Sequence, residues 1–112
     1  FSPIVADFYA GMEVTVPLFA HQVKGTVADI AAVYAEAYAT GLIRYREAAD
    51  EVGFLSATAF AGRDDMEVTV MGNGERMLLV ARFDNLGKGA SGSAIQNMNI
   101  LLGVDECTGL NI

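Results

Sequence analysis

MEVTVMG (residues 66–72) and ERMLLVARF (75–83) flank Asn73-Gly74. Asn-Gly between two alternating apolar runs is the strongest short-range signal for a β-hairpin. In the first run Val68 and Val70 share a face. In the second, Leu79 and Ala81 point one way and Leu78 and Val80 the other. A strand apolar on both faces belongs inside a sheet, so further strands must flank this hairpin. Upstream, MEVTVPLFA (12–20) supplies one, with Met12, Val14, Val16 and Leu18 alternating against Glu13, Thr15, Pro17 and Phe19. Pro17 has no N–H to give a ladder, so this strand lies at an edge or turns that position away from its neighbour. LIRYR (42–46) reads as a short strand and LSATAFAG (55–62) as another, separated by the acidic loop EAADEVG (47–53).

Two stretches carry helical spacing instead. In TVADIAAVYAEAYAT (26–40), Val27, Ile30, Ala31, Tyr34 and Tyr38 make one stripe. Thr26 and Asp29 are placed as a capping box, and Gly41 as the C-cap. In DNLGKGASGSAIQNMNILLG (84–103), Ala94, Ile95, Met98, Leu101 and Leu102 make a second stripe that stops at Gly103. The tail VDECTGLNI (104–112) has no period. The sum is an α+β fold: a mainly antiparallel mixed sheet, one long helix on a face, and a C-terminal helix.

Composition narrows the function. A chain of 112 residues with 53% hydrophobic and 19% charged residues has room for one globular domain. Fourteen acids against seven bases give a net charge of -7, which disfavours nucleic acid and anionic membranes as partners. No apolar run approaches the roughly 18 residues of a membrane span, and no secretory leader pattern is present. The single cysteine, Cys107, has no internal disulfide partner and suits a reducing compartment. The first residue is Phe1 and not Met, which admits a processed piece or an excised domain.

The sharpest local pattern is Gly87-Lys88-Gly89-Ala90-Ser91-Gly92. It has the spacing of a dinucleotide fingerprint, follows a strand and opens a helix. A Rossmann unit also needs a second parallel strand and an acid about 20 residues on, and here the last acids, Asp105 and Glu106, fall in the tail. Two readings remain. The small residues let the helix pack tightly, or they bare N–H donors at a helix start to a ligand held by another domain, with Lys88 adding positive charge. We favour the second. Gln96, Asn97 and Asn99 sit in an otherwise apolar helix, where Asn is poorly suited. Solvent exposure accounts for one or two of them, and Gln96, one turn after Gly92, is the preferred hydrogen-bonding candidate. His21 reads as a surface residue. The Asp105-Glu106 pair raises the Cys107 thiol pKa and so argues against a reactive thiolate. Asp64-Asp65 and Asp50-Glu51 read as solvated turns. No metal-ligand spacing and no nucleophile–base set can be assembled, so the residues alone do not make a complete enzyme.

DNLGKGASGSAIQNMNILLGVDECTGL (84–110) resembles the end of N-acetyl-γ-glutamyl-phosphate reductases. That family closes with DNL-x-KGA-x-(G/A)-x-A-x-Q, often followed by N-x-x-x-G and a D-E-T-T-G-L-like tail. FSPIVADFYAGMEVTVPL (1–18) resembles the family's F-T-P-H-x-x-x-x-x-R-G-I-x-x-T segment. Ile4 stands where many members carry His, and Ala10 where many carry Arg, so no role of those side chains is carried over.

The resemblance implies the C-terminal third of a larger cytoplasmic enzyme of arginine biosynthesis. Its fold would be that of the C-terminal domain of glyceraldehyde-phosphate and semialdehyde dehydrogenase-like reductases. Residues 1–83 would be the substrate and dimerisation domain, and 84–112 a helix and tail packing back on a missing NADP-binding domain. The family reduces N-acetylglutamyl 5-phosphate with NADPH to the semialdehyde and phosphate, through a thioester on a Cys with a His as acid and base. Both catalytic residues would lie upstream of Phe1, leaving no catalytic or metal-binding residue here, and this chain alone would be inactive. Asn85, Lys88, Gly89, Ala90, Ser91 and Gln96 match family positions near the NADP cofactor, and the Asp84-Asn85 corner would set where the helix begins, with Asn85 placed to cap it. Cys107 replaces a common Thr and is not the nucleophile. Met98, Leu101 and Leu102 call for a partner surface, and a homo-oligomer, dimer or tetramer, through the sheet is expected. The alternative is a free-standing, non-catalytic α+β binding or dimerisation module, in which 87–92 would be buried within the domain. A related aldehyde-forming dehydrogenase of the aspartate-semialdehyde type is disfavoured by the DNL and tail motifs.

Overall fold

A computed structural model describes residues 1–112. Four strands form one sheet: β1 (Met12–Phe19), β2 (Ile43–Tyr45), β3 (Met66–Gly72) and β4 (Arg76–Phe83). Their spatial order is β1-β4-β3-β2. β4 pairs antiparallel with both β1 and β3, and β2 joins β3 in parallel, so the sheet is mixed and the class α+β. The doubly apolar β4 is a central strand, as its sequence requires, and Pro17 sits on an edge strand.

The hairpin forms, but its turn is not centred on Asn73-Gly74. The register pairs Gly72 with Met77, which centres the turn on Gly74 and Glu75. Asn73 Oδ1 accepts from the N–H groups of Glu75 (2.9 Å) and Arg76 (3.0 Å), while Asn73 N donates to the Arg76 carbonyl at 2.9 Å. The Asn side chain thus substitutes for a backbone acceptor, the Asx-turn alternative that Asn offers.

Residues 55–62 are not a strand. They coil into successive turns, with Ala59 N to Ser56 O at 3.2 Å, Ala61 N to Thr58 O at 3.0 Å and Arg63 N to Phe60 O at 3.1 Å. Ser56 and Thr58 share a hydroxyl bond of 3.0 Å, and Thr58 N donates to Ser56 Oγ. Such local bonds compete with a ladder and win here. The segment laps over one face of the β3–β4 hairpin instead. There Glu67, Thr69, Val80 and Arg82 are 4%, 1%, 3% and 1% exposed. Arg82 is the tie: it donates to Glu67 (2.7 Å), to Glu51 (2.9 Å), and to the carbonyls of Ala49 (2.8 Å) and Ser56 (3.2 Å). Asp65 is therefore not a solvated turn residue, whereas the Glu51 side chain is 49% exposed at its turn. Glu51 pairs with a buried guanidinium, and Asp65 is buried against Arg63 in a bidentate pair at 2.6 and 2.7 Å.

Helix α1 (Val27–Ala37) covers part of the other face. Thr26 and Asp29 form the predicted capping box. The half-buried residues of this stretch are Val27, Ile30, Ala31, Tyr34 and Tyr38, the stripe expected from spacing. Tyr34 meets Tyr45 of β2 edge-on at 6.2 Å. The helix stops earlier than the sequence suggests. Tyr38 leaves helical geometry (φ -116, ψ 34), because the chain must turn to bury Leu42 and enter β2, so Gly41 (φ 90) lies beyond the helix rather than capping it. α1 leaves the β1 side of this face open: Met12, Val14 and Val16 are 41%, 39% and 45% exposed.

The terminal helix α2 (Gly92–Leu102) reverses the burial its apolar stripe implies. Met98, Leu101 and Leu102 are 51%, 88% and 68% exposed, whereas Asn99 is only 4% exposed. The helix docks its polar side on its own tail. Asn99 Nδ2 donates to the carbonyls of Glu106 (3.1 Å) and Thr108 (2.8 Å), and Gly103 ends the helix in a left-handed conformation (φ 69).

Candidate functional site

The end of β4 delivers the chain to Asp84, which fixes everything after it. This side chain is only 2% exposed. Its Oδ1 accepts from Leu86 N (2.6 Å) and Gly87 N (3.0 Å), and its Oδ2 accepts from Gly62 N. Burial alone would raise the carboxyl pKa, but these three N–H donors outweigh it and hold the group below the usual carboxylate range. Asp84, not Asn85, is thus the helix-starting cap. Asn85 Oδ1 instead accepts from Gly11 N at 3.0 Å and ties the approach to β1 onto the end of β4.

Gly87–Ser91 then form a π-helical turn that runs into α2. The glycines have separate reasons. A Cβ on Gly87 would collide with the Arg63 carbonyl, and one on Gly92 with the Asp64 carboxylate. These two serve tight packing on the 63–64 turn. Asp64 is itself fastened to the tail, accepting from Asn111 N at 2.9 Å and donating its own N–H to Asn111 O at 2.7 Å. Gly89 differs. It lies against the Phe83 ring, 3.1 Å from where a Cβ would stand, and with Ala90 and Ser91 it remains exposed. The result is a shoulder of small residues open to solvent and anchored from below by Asp84, whose carbonyl accepts from Gly89 N at 2.8 Å.

Lys88 and Gln96 are brought together beside that shoulder. Lys88 Nζ donates to Gln96 Oε1 at 2.5 Å, and Gln96 Nε2 donates to Glu106 at 2.8 Å. Ser91 turns back on the helix start, its Oγ donating to the Leu86 carbonyl at 2.8 Å. Of the six residues singled out in sequence, Lys88, Gly89, Ala90, Ser91 and Gln96 share one short helical segment. Asn85 precedes that segment, its Oδ1 bonded to Gly11 N. The Asp84-Asn85 corner does set where the helix begins, with Asp84 rather than Asn85 making the bonds. Sequence reasoning missed Asp64, Glu106 and Asn111, which meet their partners only through the fold.

His21 stacks on Phe19 at 5.6 Å, at the opposite end of β1. The Cys107 thiol is pushed up by burial and by Asp105 and Glu106, with Arg44 opposing weakly. No cluster of three or more His, Cys, Asp or Glu side chains is arranged to hold a metal ion. No helix is long and apolar enough to cross a membrane. An ammonium, a carboxamide and bare backbone can bind and orient a ligand.

No family model matches the chain. Over an alignment 111 positions long that covers 92% of the chain, it is 42% identical to the N-acetyl-gamma-glutamyl-phosphate reductases of Brucella suis, Brucella ovis and Brucella abortus. The chain spans 36% of the length of these curated relatives and matches their C-terminal part.

Proposed function

We propose that this chain is the C-terminal part of an NADPH-dependent reductase that converts N-acetylglutamyl 5-phosphate to N-acetylglutamate 5-semialdehyde in arginine biosynthesis. The likeness to reductases of that name over 92% of the chain carries the reading. The exposed Gly89-Ala90-Ser91 shoulder beside the Lys88–Gln96 pair is what supports a place for the cofactor. The donor set fits such a group: Gln96 offers a carboxamide for an amide-bearing ring, Lys88 a charge for an anionic dinucleotide, and the small residues permit close approach. NADPH supplies the hydride when bound. The chain's own residues hold and orient it, with Asp84 fixing the height of the shoulder. Catalytic Cys and His residues belong upstream of Phe1, residues 1–83 form the substrate and dimerisation domain, and 84–112 pack back on an NADP-binding domain.

The uncovered apolar groups have places in this reading. Met98, Leu101 and Leu102 face that domain, and Met12, Val14 and Val16 meet a second subunit across the sheet in a cytoplasmic homo-oligomer. The free-standing module expects residues 87–92 buried within the domain, and the exposure of Gly89, Ala90 and Ser91 counts against it.

The test is made in the complete protein. Its coding sequence should hold a glycine fingerprint and a separate Cys upstream of Phe1, and it should oxidise NADPH in the presence of N-acetylglutamyl phosphate. Lys88→Met together with Gln96→Leu should raise KM for NADPH about tenfold, the loss of one charge-assisted contact, with kcat changed less. An unchanged KM would remove these two residues from the cofactor site. NADPH bound by the 112-residue chain alone below about 10 μM would contradict a half-site, since that takes about -7 kcal/mol.

A further inference from the structure

A second feature is absorbed by none of this. A cleft of about 470 Å³ opens beside the edge strand β2, between it and the 60–65 turn. Arg44, Arg46 and Arg63 line it, three of the seven basic side chains in a chain of net charge -7. Arg44 lies in β2 and Arg46 directly follows the strand, and both line the cleft. The acids in the wall are already engaged. Asp65 is held bidentate by Arg63. Glu67 gives one oxygen to buried Arg82 at 2.7 Å and the other to Arg46 at a loose 3.5 Å. Glu106, near Gly41 at the rim, is bonded to Gln96. Arg44 has no carboxylate partner; its one bond is Nε to the Gly41 carbonyl at 3.3 Å, which leaves the fork of its terminal nitrogens free. Arg46 is 66% exposed at its side chain. Two guanidinium groups with unspent donors therefore line a cleft whose carboxylates are already engaged. Arg63 stacks over the Phe60 ring at 5.3 Å, and Leu42, Met66 and Ile112 add apolar wall.

We propose that this cleft is a binding site for a small oxyanion, carboxylate or phosphate, carried on a short apolar chain. Arg44 and Arg46 grip the head group through paired N–H donors, the geometry in which guanidinium outperforms ammonium. Phe60, Leu42 and Met66 take the apolar body. The site is independent of the cofactor reading, and its volume is in the range of small-molecule sites.

Backbone amide shifts of the protein, titrated at low ionic strength with inorganic phosphate, acetate and hexanoate, test this. Saturable shifts in residues 41–46 and 60–67 with a Kd of about 1–10 mM are expected. Hexanoate should bind about fivefold more tightly than acetate, a small part of what its extra methylenes could give if fully buried. Phosphate tighter than acetate assigns a phosphoryl head, and the reverse a carboxylate. The double variant Arg44→Gln, Arg46→Gln should weaken binding about tenfold, while Lys24→Gln, which removes a charge elsewhere, should not. Both exposed arginines leave the Arg82–Glu67 pair intact, and an unchanged amide spectrum outside the cleft confirms folding. Linear shifts without saturation, equal loss in Lys24→Gln, or no loss in the double variant would each overturn the site. Hexanoate no tighter than acetate would overturn the apolar half.

Discussion

Replacing Asp84 with Ala should strip three N–H groups of their common acceptor at once: Gly62, Leu86 and Gly87. A buried donor left unpaired costs about 1–3 kcal/mol. Leu86 and Gly62 are exposed, so their N–H groups can find water, and half-buried Gly87 carries most of the loss. The expected destabilisation is about 2–3 kcal/mol, a large share of the roughly 5–15 kcal/mol typical of a domain. At about 4 °C per kcal/mol for a domain near this size, Tm should fall by roughly 8–12 °C. Asp84→Asn keeps one oxygen for Leu86 and Gly87 but turns an NH2 group toward Gly62 N–H, so it should cost about 1–2 kcal/mol. Urea unfolding followed by circular dichroism reads both. The pH dependence gives a second check. The folded carboxyl lies below its ordinary value, so Asp84 contributes stability above the unfolded pKa of about 3.9 and loses it as pH falls through the lower folded value. The gap between parent and Asp84→Asn should therefore be full at pH 7 and shrink below about pH 4. An Asp84→Ala protein within about 1 kcal/mol of the parent would refute the clamp, and so the account of what holds the Gly89 shoulder in place.

Other substitutions probe the remaining contacts. Gly92→Ala should cost about 1–3 kcal/mol because its methyl meets the Asp64 carboxylate, whereas Gly74→Ala, with nothing near its Cβ, should stay within about 0.5 kcal/mol; equal Tm values for the two would sink the packing explanation. Glu67→Gln removes the charge facing buried Arg82 and should destabilise by about 3 kcal/mol, toward the low end because Glu51 still pairs with the guanidinium; urea midpoints measure this. The Cys107 thiol should react with a disulfide reagent along a pH profile whose midpoint lies above the ordinary value of about 8.5, and a midpoint below that would contradict the acidic surroundings described here.

Much of this fold could be read along the chain. The hairpin, the edge position of the Pro17 strand, the Thr26–Asp29 box and the α1 stripe all rest on local periodicity or local hydrogen-bonding chemistry. Each involves residues close in sequence, whose side-chain directions follow from the 2.0 and 3.6 periods. The candidate site was legible to the same depth: Lys88, Gly89 and Gln96 lie within one helical segment, so their proximity follows from spacing.

Where local reading failed, the deciding partners were distant. LSATAFAG has strand-like composition, but the buried guanidinium of Arg82, 26 residues beyond Ser56, claims its carbonyl. Glu51 sits in an exposed turn, yet it pairs with Arg82, 31 residues further along the chain. The stripe of α2 points outward because its tail, folding back through Asn99, saturates the polar side first; an apolar stripe states that a helix has a face to bury, not that the chain at hand supplies the surface. The glycines of 87–92 share one sequence signature and divide in space into two that press on the 63–64 turn and one that stays open. Sequence alone determined the hairpin and the two helices, because those depend on bonds within a few residues. Tertiary structure decided which faces are buried and which side chains meet, because burial and ion pairing depend on what long-range folding brings alongside.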